Sequence, residues 1–235
     1  MKYIIIGLGK FGSALGEKLT EMGNEVIGVD VRMNKIESIK EKITHAINLD
    51  ATDPEAVGNL PLKDADVVII AIGENTGSNI MAAALMQKMH VKRIIGRVVD
   101  PLQKTVLEAM GIDEIIHPEE ETAERWAKRL NLEGVVDSFE LDGSYSIVET
   151  RIPKEYHDKT IKELGIKDQF NIIVLTTMKV TNEKNDMGVD TNRSEVQGIA
   201  RADTKLYKDE IMVLYGHNKD IKKLLDEHRK FKEGM

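Results

Sequence analysis

The chain has 235 residues, of which 41% are hydrophobic and 31% charged, with a net charge of −7 and no cysteine. That length allows one large domain or two modest ones, and the missing cysteines exclude disulfides, thiolate metal sites and cysteine nucleophiles. No apolar run nears the roughly 18 residues that span a bilayer, and an acidic chain without a basic stripe is poorly suited to a phosphate backbone, so neither direct membrane insertion nor nucleic-acid binding is expected.

The chain enters an apolar run at once, Tyr3 to Ile6, with no charged region and cleavage site ahead of it. A secretory signal peptide is therefore not expected, and the cytoplasm is the favoured compartment. Gly7-Leu8-Gly9-Lys10-Phe11-Gly12 follows. Then comes a helical pattern with Leu15, Leu19 and Met22 expected inward, ended by Gly23-Asn24. Val26 to Val29 forms a second strand closing on Asp30, 18 residues after Gly12. The three glycines do different things. Gly7 makes the tight turn, Gly9 lets a phosphate approach the backbone, and Gly12 lets the helix pack on the strand. The helix start presents free N–H groups to an anion, and Asp30 can accept hydrogen bonds from a ribose. A glycine triplet alone is weak. Strand, turn, helix, strand and acid in this order read as a nucleotide site, whereas a ligand-free turn leaves the acid unexplained.

Val31 and Arg32 lead to a polar helix with Ile36, Ile39 and Ile43 on one face. A third strand, Ala46 to Leu49, ends at Asp50-Ala51-Thr52-Asp53. Its carboxyl edge is where doubly wound sheets bind ligands, so Asp50, Ala51 and Thr52 are expected to line a pocket for adenine or its ribose. Asp53 before Pro54 reads as a helix cap.

The run Val67 to Ile72 is apolar throughout, as suits a parallel strand covered on both faces. Ile72, Gly73, Glu74 and Asn75 stand at its carboxyl edge. A helix is expected over Ser78 to Lys88, with the Met81, Leu85 and Met89 spacing read as core. The fifth strand, Arg93 to Gly96, is followed by Arg97, Val98 and Val99. Arg97 there suits a phosphate; the alternative is a surface ion pair. Residues 101 to 110 form another helix, and Ile115-Ile116 a short sixth strand. Glu119, Glu120, Glu121 and Glu124 open the next helix. Most of this acidity offsets the helix dipole, though one carboxylate could face a nucleotide-bound metal.

The pattern changes after Gly134. Residues 139 to 150 read as strands around an Asp142-Gly143 turn. Thr160 to Leu164 is a short helix and Asn171 to Met178 a strand. Thr181 to Arg193 is polar and reads as a hairpin loop. Ile211 to Tyr215 is a last strand, and Lys219 to Phe231 a closing helix with Ile221, Leu224 and Leu225 inward. The fold class is α/β: a Rossmann-like doubly wound parallel sheet, with a second, smaller α+β domain. The expected divisions are a nucleotide-binding domain over 1–117, a crossover helix and hinge over 118–138, and the small domain over 139–235.

The six histidines lie far apart and make no metal-ligand spacing. Tyr215 and Lys219 fit Tyr-x-x-x-Lys but sit at the end of a late strand, away from the glycine loop. No catalytic residue is assigned, and an NAD-dependent oxidoreductase is the alternative reading. A DNA-binding repressor would need a helix-turn-helix and a basic face, which this chain lacks.

The motifs Ile6 to Gly12, Val29-Asp30, Thr44-His45-Ala46, Asp50-Ala51-Thr52, Ala71-Ile72-Gly73, Gly111 to Glu119 and Ala202 to Ile211 resemble those of the RCK (regulator of K⁺ conductance) proteins. The likeness is to the KtrA/TrkA-type subunits of bacterial and archaeal potassium transporters. It implies a cytoplasmic, non-enzymatic regulator that forms dimers and octameric rings beneath a KtrB/TrkH-like membrane channel. It further implies gating by ATP, ADP or NAD(H) in the Rossmann cleft, with Mg²⁺ or another cation beside the nucleotide. On this resemblance Lys10 reaches a γ-phosphate in the partner subunit, where the family more often has Arg. Arg97 is a second phosphate contact, Glu119 a carboxylate near the terminal phosphate and its cation, Arg32 a neighbour of the adenine, and Gln103 a further contact. Phe170 to Ile173 and the extra segment 179–199 depart from the members that bind cyclic di-AMP, so that ligand is not carried over.

Overall fold

The structure, a computed structural model, describes residues 1–112, 114–131, 134–184 and 190–233. It divides into two compact units, Met1–Glu121 and Thr122–Met235.

The first unit alternates strand and helix: β1 (Lys2–Ile6), α1 (Lys10–Glu21), β2 (Glu25–Asp30), α2 (Met33–Ile39), β3 (His45–Asn48), α3 (Pro54–Val57), β4 (Val67–Ile70), α4 (Thr76–Lys88), β5 (Ile94–Arg97), α5 (Pro101–Ala109) and β6 (Glu114–Ile116). The strands form one sheet in the order β3-β2-β1-β4-β5-β6, all pairs parallel. Strand periodicity splits its residues between two cores. Ile4, Ile6, Val68 and Ile70 pack with Ala82, Ala83 and Met86 of α4 and Leu107 of α5. Ile5, Val67 and Ile69 face Leu15 and Leu19 of α1 and Ile36 and Ile39 of α2. Helices on both faces explain why β4 and the Ile4–Ile6 part of β1 are continuously apolar. The strand order reverses between β1 and β4, and at such a switch point the strand ends open a crevice.

The expected elements stand, with shifts. Met22 is exposed beyond the end of α1, because the chain already turns at Gly23 with φ +82°. Helix α2 stops at Ile39, and Ile43 reaches the core from the following turn. In α4 the inward face is Asn79, Ala82, Ala83, Leu85 and Met86, while Met81 is 57% exposed and Met89 also stays at the surface. Two alanines and an asparagine let α4 lie close to the sheet, which the spacing of its larger residues concealed. Asp53 does cap α3, accepting from the Glu55 N–H at 2.9 Å.

Helix α6 (Pro118–Asn131) follows and buries none of its residues. Trp126 is 49% and Leu130 78% exposed.

The second unit holds β7 (Val135–Glu140), β8 (Tyr145–Arg151), α7 (Ile161–Leu164), α8 (Ile166–Phe170), β9 (Ile173–Lys184), β10 (Asp190–Val196), β11 (Glu210–His217) and α9 (Asn218–Glu233). Its sheet runs β10-β9-β11-β8-β7, antiparallel throughout. One face packs Leu214, Met212 and Ile172 with Ile166 and Phe170 of α8 and Ile221 and Leu224 of α9. The other carries Met178, Ile211 and Val213. Gly143 makes the β7–β8 turn with φ +76°. Helix α8 was not foreseen; Gly165 and Asn171, both left-handed, bound it. Most of the expected loop 181–193 is strand instead. Seven residue pairs join β10 to β9, from Asp190–Lys184 to Val196–Met178, and this ladder, anchored through β9 on β11, overrides the turn preference of the asparagines. Asn185 and Gly188, also assigned to that loop, lie outside the described residues.

Candidate functional site

The carboxyl ends of β1, β2, β3, β4 and β5 frame a cleft of about 540 Å³ within the first unit. Its floor is the glycine loop. Gly7 has φ +99° and donates its N–H to the Val29 carbonyl at 2.8 Å. A side chain there would also press on the Ile72 N–H, and a Cβ at Gly12 would collide with the Gly7 carbonyl oxygen. Gly9 differs: a Cβ there would meet no protein atom. The space beside Gly9 is therefore cleft, and α1 begins at the next residue, with its first N–H groups lacking acceptors within the helix.

Asp30, 6% exposed, holds this floor. Its Oδ2 accepts from the Leu8 N–H at 2.8 Å, and its Oδ1 from the backbone N–H of Arg32 at 2.9 Å and from Arg32 Nε at 3.2 Å. Burial pushes the Asp30 carboxyl upward, but the Arg32 side chain and the Arg32 and Leu8 N–H groups outweigh it and hold it below the usual aspartate range. Asn48 Nδ2 also ties down the turn, donating to the carbonyls of Asp30 and Val31 at 3.0 and 2.9 Å.

Arg32 then spans the cleft mouth. Its Nη1 meets Glu74 Oε2 at 2.6 Å, so one guanidinium joins the end of β2 to the loop after β4. On the other wall, Arg97 pairs with Glu119, donates to the Ala71 carbonyl at 3.3 Å and stacks on Phe11 with its carbon 5.7 Å from the ring centre. Its Nε has no hydrogen-bond acceptor among the described residues. A Cβ at Gly73 would strike the guanidinium; glycine is what lets Arg97 lie there. Asp50 lines the cleft edge, its Oδ1 accepting from the Thr52 hydroxyl at 2.7 Å and the Thr52 N–H at 2.9 Å. These two bonds hold its carboxyl low.

Of the residues singled out in the sequence, Gly7, Gly9, Lys10, Phe11, Asp30, Val31, Arg32, Asp50, Ala51, Thr52, Ile72, Gly73, Glu74, Asn75, Arg97 and Glu119 line this one cleft. Gly12, Val98, Val99 and Gln103 do not. Gly12 lies beneath the loop, and Val98 is buried in the core. Val99 N–H donates to Gln103 Oε1 at 2.9 Å. Gln103 supports the wall from behind, its Nε2 lying 3.4 Å from the Arg97 carbonyl. Asn79 does the same and was missed: buried, it donates to the carbonyls of Ile72 at 2.7 Å and Arg97 at 3.0 Å. Ser78 also lines the cleft, one residue before Asn79 in the first turn of α4; the cap at Asn75, which accepts from the Ser78 N–H at 2.8 Å, was the readable signal for both. Among the described residues no group of three or more His, Cys, Asp or Glu side chains is placed to hold a metal. Glu119 offers one carboxylate, already on Arg97, so the donor set does not amount to a preformed metal centre.

A doubly wound parallel-sheet unit followed by a small α+β unit is the fold of solved RCK domains. The RCK domain of GsuK superimposes with a TM-score of 0.62 at 18% identity, over 95% of this chain and 46% of that one. The GsuK channel bound to NAD superimposes at 0.61 and 16% identity, over 93% and 38%. This chain thus spans less than half the length of either, and the likeness is one of fold. The TrkA-N domain family matches residues 3–118. Ktr system potassium uptake protein C of Bacillus subtilis (strain 168) is 31% identical over 174 residues, 74% of this chain and 79% of its own. Ktr system potassium uptake protein A of the same organism is 27% identical over 226 residues, 96% of each. The chain belongs to the TrkA-N family of Ktr- and Trk-type potassium uptake proteins. Among the described residues no helix is long and apolar enough to cross a membrane.

Proposed function

We propose that this chain is the nucleotide-sensing subunit of a potassium transport system. It works without catalysis, self-associates to a dimer and an octameric ring, and acts from the cytoplasmic face on a membrane channel subunit. The observation that carries the reading is the cleft: glycine loop, helix start, Asp30 and Arg97 converge at one switch point. Asp30 accepts a ribose hydroxyl, the α1 start and Lys10 receive phosphate, and the unsatisfied Nε of Arg97 marks a cation with a donor to spare for an anion. Adenine nucleotides and NAD(H) share these parts. A divalent cation would accompany the phosphates, Mg²⁺ being held by one or two carboxylates plus phosphate oxygens. Glu119 is the carboxylate at hand, once phosphate replaces it on Arg97.

A ligand shifts a conformational equilibrium only when it binds the two states unequally. A γ-phosphate that meets Lys10 and Arg97 in one state alone supplies that inequality. Each such charge-assisted hydrogen bond is worth about 1.5–3 kcal/mol, so the two together bias a two-state equilibrium by about 10²- to 10⁴-fold. The test is a calorimetric titration of nucleotide-free protein with ATP, ADP, NAD and NADH. Tight binding of ATP and ADP with different affinities supports the sensor, and Lys10→Ala is expected to weaken ATP more than ADP. Equal losses would remove Lys10 from γ-phosphate sensing. Binding of NAD(H) alone, with turnover of a substrate, would replace the sensor with the oxidoreductase.

A further inference from the structure

Arg32 is the one cation at the ribose end of the cleft among its described lining residues; Lys10 stands at the glycine loop and Arg97 on the opposite wall. It already serves two carboxylates, Asp30 at 3.2 Å and Glu74 at 2.6 Å. Strands β2 and β4 flank β1, so the Arg32–Glu74 bond crosses about 10 Å of sheet edge. Glu74 is 73% exposed on its side chain, and no packing need explains a pair over that span. In this fold the ribose 2′ position lies beside the acid ending the second strand, and an arginine nearby is what accepts a 2′-phosphate where one is bound. Such an arginine is present here, but its guanidinium is already engaged by Asp30 and Glu74.

We infer that Glu74 is a specificity-determining positioning residue: by holding Arg32 across the cleft mouth, it keeps the site closed to ligands with a 2′-phosphate and open to those with a 2′-hydroxyl. The inference rests on the nucleotide reading of the cleft. Asp30, Arg32 and Glu74 together carry one net negative charge, which repels a dianionic phosphate and leaves a neutral hydroxyl unaffected. Neutralising Glu74 brings the trio to zero and frees Nη1 of Arg32. The Arg32 backbone N–H still holds Asp30, so the floor stays in place.

Adenosine 5′-monophosphate and adenosine 2′,5′-bisphosphate differ only at this position. Their dissociation constants are to be measured at fixed ionic strength on the full chain. The wild type is expected to favour the monophosphate. Glu74→Gln should narrow that preference by about tenfold or more, the effect of one charge-assisted hydrogen bond. Glu74→Asp, which keeps the charge, should retain most of the preference, and adding Arg32→Ala to Glu74→Gln should cancel the narrowing. A preference unchanged in Glu74→Gln, or a narrowing that survives loss of Arg32, overturns the inference while leaving the nucleotide reading intact. Failure of the wild type to bind either probe overturns the inference, and failure to bind ATP, ADP, NAD and NADH as well overturns the nucleotide reading.

Discussion

Asp30 meets its expected ligand with both oxygens already engaged by the protein. Three N–H donors converge on it, from Leu8 and Arg32, so the acid that would receive a ribose also fastens the loop that would receive the phosphates. Asn at this position can accept on one side only and turns an amide donor toward another N–H. At neutral pH, Asp30→Asn should therefore cost about 1–3 kcal/mol as well as ligand affinity. The sign of the pH dependence follows from the lowered carboxyl. A group with a depressed folded value stabilises above its unfolded value, about 3.9 for aspartate, and that contribution fades as pH falls through the folded value. Urea unfolding of both proteins should show a gap that is widest near neutrality and shrinks below about pH 4. A gap independent of pH would mean that Asp30 is not held ionised by these donors.

At the scale of elements, the glycine loop keeps apart the two duties that its sequence assigns to Gly9 and Gly12. Gly12 is structural, since a Cβ would meet the Gly7 carbonyl, whereas Gly9 borders empty cleft. Gly12→Ala should destabilise by about 1–3 kcal/mol or more, as overpacking does. Gly9→Ala should leave stability within about 0.5 kcal/mol and weaken nucleotide binding about tenfold, or 1.4 kcal/mol. Denaturation midpoints and titrations on both variants check the division; equal stability losses would merge the two roles again. The parallel strands and the glycine loop were legible because their signals are local: apolar runs, turn residues, and an acid at a fixed distance. What escaped depends on partners far apart in the chain. The Arg32–Glu74 bond joins residues 42 apart, and Arg97 is matched by Glu119, 22 residues on. The inward face of α4 was hidden because Asn79, Ala82 and Ala83 have no apolar bulk to advertise it. A hairpin was expected at 181–193, but the strand pairing of its residues was hidden because polar residues pair along an edge through their backbones, which composition does not record.

At the scale of the whole molecule, the two units keep separate apolar cores. The cores of the first draw only on residues up to Ile115; those of the second begin at Val135. Every residue lining the candidate nucleotide cleft belongs to the first. Cooperativity is a property of a shared core, so heating should melt this chain in two steps rather than one. Mass action then assigns any ligand gain to a single step: at a hundredfold excess over Kd, about 2.7 kcal/mol accrues to the folded form that binds. A scanning calorimeter should see one endotherm climb with added nucleotide while the other stays still, and two endotherms climbing in step would reveal that the halves unfold as one.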